Sequence, residues 1–113
     1  MHTTSAFNIG SGIHMDVRVD AADSNGEISV FECTITGDAI VPLAHSHIDF
    51  DETVYGLEGV LRFVVDGERR YLGPGESFCI RRGQTHEFVN MGPGDARFLA
   101  VATPGLFGRQ YFR

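Results

Sequence analysis

Two histidines one residue apart, His45 and His47, are followed by Glu52 in a chain otherwise rich in Val, Ile, Phe and Gly. The stretch reads His45-Ser46-His47-Ile48-Asp49-Phe50-Asp51-Glu52. On a strand this spacing points both imidazoles to one face, with Ser46 opposite. Glu52 stands at an odd offset from His47, so an uninterrupted strand would aim it away. The chain must bend through residues 48–51, or pass Glu52 to a neighbouring strand, for the carboxylate to join the histidines. If it does, the set is two imidazoles and one carboxylate, suited to Fe(II) and compatible with Mn, Ni, Co or Zn. The bland alternative is a solvated polar loop. His86, in "GQTHEFVN", supplies a fourth candidate ligand. Four nitrogen and oxygen ligands leave one or two exchangeable positions on an octahedral ion, where substrate or dioxygen can bind. Glu52 has two possible roles, metal ligand or general base. His14 reads as a surface residue, and Asp49 and Asp51 as solvated loop carboxylates.

The elements that must position these residues are short strands. Turn signals fall at Asn25-Gly26, Gly37-Asp38, Asp66-Gly67, Gly73-Pro74-Gly75 and Gly92-Pro93-Gly94-Asp95, with runs rich in Val, Ile and Phe between them. Closely spaced strands of this kind make a β-sandwich or barrel. In 13–20 the apolar residues Ile13, Met15, Val17 and Val19 alternate with polar ones, the period of a half-buried strand. Residues 60–72 read as a hairpin about an Asp66-Gly67 turn. Further strands are expected at 27–36, 53–57, 77–81, 86–90 and 96–102. No segment has a helical period, and the tail from Thr103 is open between strand, helical turn and docking segment. Residues 1–113 are read as one domain.

The composition is that of a soluble globular protein, 42% hydrophobic and 21% charged. A net charge of −6 argues against binding nucleic acid. No apolar run is long enough to span a bilayer, and the start of the chain lacks a signal-peptide pattern, so the expected location is the cytoplasm. Cys33 and Cys79 are expected to be buried free thiols rather than a disulfide. Tyr55, Phe63, Phe88 and Phe98 are expected in the core, and Phe88 shares strand parity with His86, so it can line an apolar pocket. Phe63 and Phe98 are candidates for the same wall. Val60 and Val64 lie opposite Leu61, Phe63 and Val65; a strand apolar on both faces implies a covered outer face, and a homodimer is the simplest cover.

Two longer patterns gather these residues. "AIVPLAHSHIDFDETVYGLEG" (39–59) resembles the first cupin motif, G-x5-H-x-H-x3,4-E-x6-G, with His45, His47, Glu52 and Gly59 in place. "GESFCIRRGQTHEFVN" (75–90) resembles the second, G-x5-P-x-G-x2-H-x3-N, with Gly75, Gly83, His86 and Asn90 in place. Ala39 replaces the first motif's opening glycine and Arg81 replaces the second motif's proline, neither a ligand position. The resemblance implies a jelly-roll (double-stranded β-helix) barrel of six to eight strands. It also implies one divalent transition metal held by His45, His47, Glu52 and His86. The spacer between the motifs looks like that of small bacterial cupins.

The fold carries many chemistries, so the reaction is read from the site. Four ligands beside an aromatic-lined cavity resemble the quercetinase-like dioxygenases, oxidoreductases acting on a small aromatic or enolisable substrate, with Glu52 as base. The alternatives are a metal-dependent isomerase, epimerase or lyase acting on a sugar or keto acid, and a non-catalytic cupin that binds metal or a small effector.

Overall fold

The structure is a computed structural model that describes residues 5–8, 12–37 and 44–105. Its elements are β1 (Ser5–Asn8), β2 (Ile13–Val19), β3 (Ser29–Ile35), β4 (Asp51–Glu58), β5 (Leu61–Val65), β6 (Glu68–Leu72), β7 (Ser77–Ile80), β8 (His86–Asn90) and β9 (Ala96–Thr103), with one short 3-10 turn at Ala21–Ser24. The strands form two antiparallel sheets. The larger has the order β1-β2-β3-β9-β4-β7 and the smaller β6-β5-β8. This is the expected jelly roll, with nine strands among the described residues where six to eight were expected. Eight of the nine strands coincide with the expected segments; β1 lies in a stretch without clear alternation. Ala39 and the tail beyond residue 105 lie outside the described residues.

Alternation decides which side chains enter the sandwich. On β2 the inward residues are Ile13, Met15 and Val17; on β3 they include Phe31, Cys33 and Ile35; on β9 they are Ala96, Phe98, Ala100 and Ala102. The small sheet contributes Leu61, Phe63, Val65 and Leu72. Phe63 stands at the centre, its ring 5.2 Å from Phe78, 5.4 Å from Phe88 and 5.5 Å from Phe98 between centroids. The Phe78 and Phe98 contacts are edge-to-face, the arrangement favoured by the ring quadrupoles.

Outside the sandwich, the large sheet is laced by ion pairs. Arg97 on β9 reaches Glu32 on β3 at 2.8 Å and Glu58 on β4 at 3.0 Å. Arg18 on β2 reaches Glu32 at 3.2 Å. Such half-exposed pairs align strands and add little stability individually.

The hairpin turn is as expected: Asp66 and Gly67 have φ of 49° and 82°, the pair of left-handed residues that a two-residue turn needs. Gly59, Gly75 and Gly83, the motif glycines at the corners, also have positive φ, at 69°, 81° and 87°.

Two core assignments are corrected. Cys79 is exposed, because β7 pairs with β4 so that Cys79 sits opposite Thr53 on the outer face, while Phe78 and Ile80 turn inward. Tyr55 is exposed for the same reason, opposite Ser77 and Leu99 on that outer face. Cys33 is buried as expected, and its thiol is pushed well above the ordinary value by burial, then by the nearby charges of Glu52, Glu32 and Asp16. In the native protein a maleimide should therefore label one cysteine per chain, at Cys79, with Cys33 reacting only on unfolding. Peptide mapping by mass spectrometry checks this; an unreactive Cys79 would contradict the assigned register of β7, and equal labelling of both would contradict the burial of Cys33 on β3.

Candidate metal centre

The residues before β4 are bent by the backbone of a different segment. His45 and His86 exchange both main-chain hydrogen bonds: His45 N donates to His86 O at 3.0 Å, and His86 N donates to His45 O at 2.8 Å. This isolated bridge clamps the first motif to the start of β8. Two residues on, Gly83 N donates to His47 O at 2.7 Å. The segment from Gly83 to His86 is thus a template against which 45–47 is laid. The chain then bends at Ile48–Asp49 and enters β4 at Asp51. That bend resolves the odd offset of Glu52. Glu52 pairs with Ala102 on one side and Ile80 on the other and shares the inward face of Val54.

His45, His47 and His86 converge: one ring nitrogen from each lies within 4.8 Å of the others. The ring centroids are 4.4 Å apart for His45 and His86, 4.9 Å for His45 and His47, and 5.2 Å for His47 and His86. Glu52 Oε1 lies 3.6 Å from His47 Nε2, and both side chains are nearly closed off from solvent, 12% and 11% exposed. Of the four residues singled out in the sequence, the three histidines form the group of converging ligand atoms and Glu52 adjoins it through His47. Burial falls off across the group: His86 is buried, His47 intermediate and His45 exposed, so the group opens on the His45 side.

The electrostatics suit a cation. Burial, with the neighbouring His45 and His86, lowers His47 to a pKa of about 4. Burial and His45 lower His86 as well, against a hydrogen bond to the backbone of Gln84. Both are neutral imidazoles at neutral pH, the form that ligates metal. Burial raises Glu52 to about 7. A cluster that holds protons off two imidazoles and keeps a carboxyl half-neutral is short of positive charge at its centre. His86 Nδ1 lies 3.4 Å from Gln84 O. With its proton at Nδ1 the ring donates to that carbonyl and leaves Nε2 as the ligating atom. The residues present therefore fit a divalent ion: a three-histidine donor set with one adjoining carboxylate.

Two neighbours were not foreseen. Phe50 stacks on the His47 ring at 4.5 Å with planes 24° apart, fixing its orientation. Phe78 belongs to the same aromatic cluster as Phe63, Phe88 and Phe98; the ring pairs Phe63–Phe78 and Phe88–Phe98 bound it. Among these, Phe63 and Phe98 are buried, and Phe78 and Phe88 are half-buried against the core.

The carboxylates before Glu52 stand apart from the group. Asp49 is exposed. Asp51, expected to be a solvated loop residue, is instead strand-bound and clamped: it accepts from Arg82 N at 2.8 Å, Nε at 3.2 Å and Nη2 at 3.3 Å. These bonds hold its carboxyl below the ordinary range. Arg81, in place of the motif proline, is exposed, with Nε 3.5 Å from the same carboxylate. His14 is a surface residue, 3.6 Å from Asp16.

Residues 31–102 match the family of the cupin domain. No curated protein matches the sequence. Among solved structures, KdgF from Halomonas sp. is 19% identical, with a TM-score of 0.77 over 88% of this chain and 86% of that one. The polyketide cyclase RemF from Streptomyces resistomycificus is 23% identical, with a TM-score of 0.74 over 96% and 84%. The oxalate decarboxylase of Bacillus subtilis, a protein with Mn(II) centres, is 20% identical, with a TM-score of 0.78 over 95% of this chain and 29% of that one. At these identities the likeness is one of fold.

Proposed function

The chain belongs to the cupin family, and from that premise we propose that it is a metal-dependent enzyme, a dioxygenase of quercetinase-like type acting on a small aromatic or enolisable substrate. His45, His47 and His86 would hold one divalent ion of Fe, Mn, Ni, Co or Zn, with Glu52 as fourth ligand or as base. The ion, when bound, supplies Lewis-acid or redox chemistry to a coordinated substrate oxygen. The chain's own residues do the rest. Without an ion, burial raises Glu52 to about 7; a bound cation would lower it, leaving a carboxylate beside the site that can accept a substrate proton. The substrate enters on the exposed His45 side. Phe88, half-buried against Phe63 and Phe98, offers the substrate ring an apolar edge. The single observation that carries the reading is the nearly closed-off Glu52 carboxyl, 3.6 Å from His47, beside three converging imidazoles at the end of an aromatic core.

A second reading is a non-oxidative isomerase, epimerase or lyase. It is favoured by the same Glu52, whose proton transfer needs no dioxygen. A sugar phosphate isomerase from Silicibacter pomeroyi shares the fold.

The test begins with untagged protein. About one transition metal per chain is expected by elemental analysis, lost from a His45→Ala/His47→Ala variant. The metal-loaded protein is then expected to consume oxygen with a flavonol, a catechol or a 1,3-diketone. Glu52→Gln is expected to lower that turnover by about 100-fold or more. If the variant keeps its metal, Glu52 is the base; if it loses the metal, Glu52 is a ligand. Proton exchange from a keto acid or aldose into deuterated solvent, without oxygen uptake, would replace the first reading with the second. No metal in either protein after reconstitution would sink both.

A further inference from the structure

The loop 81–85 joins β7 to β8 and meets every segment that supplies a candidate ligand. Arg82 N donates to the carboxylate of Asp51, the residue before Glu52, at 2.8 Å. Gly83 N donates to His47 O at 2.7 Å, and His86, just past the loop, exchanges main-chain hydrogen bonds with His45. Whatever holds this loop therefore also sets how the four candidate ligands meet.

The loop is held in two ways. From within, Gln84 closes it into a turn: its N donates to Arg81 O at 3.1 Å, and its Oε1 accepts from Arg81 N at 2.8 Å. From outside, it is tied to Asp66 in the β5–β6 hairpin turn. Asp66 N donates to Thr85 O at 2.8 Å. Asp66 Oδ1 accepts from Thr85 N at 2.8 Å, and Oδ2 accepts from Gln84 Nε2 at 3.3 Å. Both ends of the Gln84 side chain are thus engaged, while its main-chain carbonyl faces His86 Nδ1 at 3.4 Å. The hairpin does not explain the carboxylate, because asparagine suits the first position of such a turn as well as aspartate. What aspartate adds is a second acceptor oxygen, and Gln84 uses it.

We propose that Asp66 and Gln84 are positioning residues for the metal centre: through the Gln84 carbonyl they hold the His86 ring with its proton on Nδ1, leaving Nε2 to ligate. Asp66 lies outside both histidine patterns and touches no candidate ligand; it acts through the loop. The consequence for metal binding rests on the metal-dependent reading of the site. An outer hydrogen bond of this kind fixes the tautomer and aim of an imidazole ligand, and its loss typically weakens metal binding by about 10- to 100-fold. Asp66 is exposed, so its hydrogen bonds contribute little to overall stability and their loss should loosen the loop without unfolding the sandwich.

The experiment exchanges donor and acceptor between the two residues. In Asp66→Asn, the asparagine oxygen keeps Thr85 N but its NH2 is turned against that of Gln84. In Gln84→Glu, the new carboxylate keeps Arg81 N but faces the carboxylate of Asp66. In Asp66→Asn/Gln84→Glu, the asparagine NH2 donates to the glutamate, every bond is restored and the net charge is again −6. The full chain is used throughout, with circular dichroism as the check on folding. Nitrogen-15 NMR of the metal-free protein at neutral pH reads the His86 tautomer, and titration with Co(II) reads the affinity. Wild type and double variant should show a ring protonated at Nδ1. Each single variant should show mixed tautomers and bind Co(II) about 10-fold more weakly, with affinity recovered in the double variant. Charge acting through space would instead weaken binding in Asp66→Asn and strengthen it in Gln84→Glu; that pattern overturns the proposal. So does a wild-type His86 protonated at Nε2, or a folded double variant no better than the single ones. The NMR reading needs no metal, so it decides the positioning of His86 even if the wild type binds no Co(II), a result that would sink the metal-dependent reading instead.

Discussion

In the metal-free protein, Glu52→Gln is expected to make stability climb by about 3 kcal/mol between pH 4 and pH 6.5. The climb comes from His47, whose folded pKa of about 4 lies below the ordinary 6.5. Its contribution is fully present above 6.5 and is lost as pH falls toward 4, because the unfolded chain takes up the proton first. His86 is lowered too and acts in the same direction. In the wild type, Glu52 opposes them. Its folded pKa of about 7 lies above the ordinary 4.5, so its contribution is present below 4.5 and is lost as pH rises toward 7. Over pH 4.5–6.5 the titrations of Glu52 and His47 largely cancel, and glutamine removes one side of the balance. Urea unfolding of both proteins in chelator, across this range, is the measurement. A variant as flat as the wild type would mean that His47 is not held neutral by its surroundings.

The same opposition bears on metal uptake. Where Glu52 is a ligand, an incoming cation would have to displace its proton below about pH 7, so wild-type affinity should fall as pH drops through 7. The amide of the Glu52→Gln variant has no such proton, so the variant's affinity should hold until the histidines titrate.

How much of this was legible follows from what each residue's neighbours are. The ligand set could be read because its spacing is dense: His45, His47 and Glu52 fall within eight residues, and His86 closes a second pattern. The hairpin could be read because Asp66-Gly67 is a local signal. The convergence itself is not local. It depends on the reciprocal hydrogen bonds of His45 with His86 and on the Gly83 tie to His47. No feature of 45–52 alone specifies them. Cys79 was misplaced because "SFCI" is apolar at three consecutive positions, so period two cannot say whether Phe78 or Cys79 points inward; only pairing with β4 decides. Phe78 was overlooked for the same reason. Tyr55 shows the converse: "TVYGL" offers Val54 or Tyr55 to the core, and the register with β9 chose Val54.

The aromatic cluster gives the second large effect, and it separates core from pocket wall. Phe63 is 1% exposed and meets three other phenylalanine rings. Phe63→Ala should cost about 3–5 kcal/mol, the transfer of a buried ring plus the cavity left between two sheets that cannot collapse independently. For a domain of this size that lowers Tm by on the order of 15 °C. Phe88 touches the same cluster but is only half-buried, so Phe88→Ala should cost less than half as much. Differential scanning calorimetry on both variants, loaded with the same metal, measures the difference. If Phe88 faces substrate, its loss should show chiefly as weaker substrate binding, while Phe63→Ala should show chiefly as lost folded protein. Equal destabilisation by the two would mean that Phe88 is core, and that the apolar edge offered to a substrate must come from residues nearer the exposed His45.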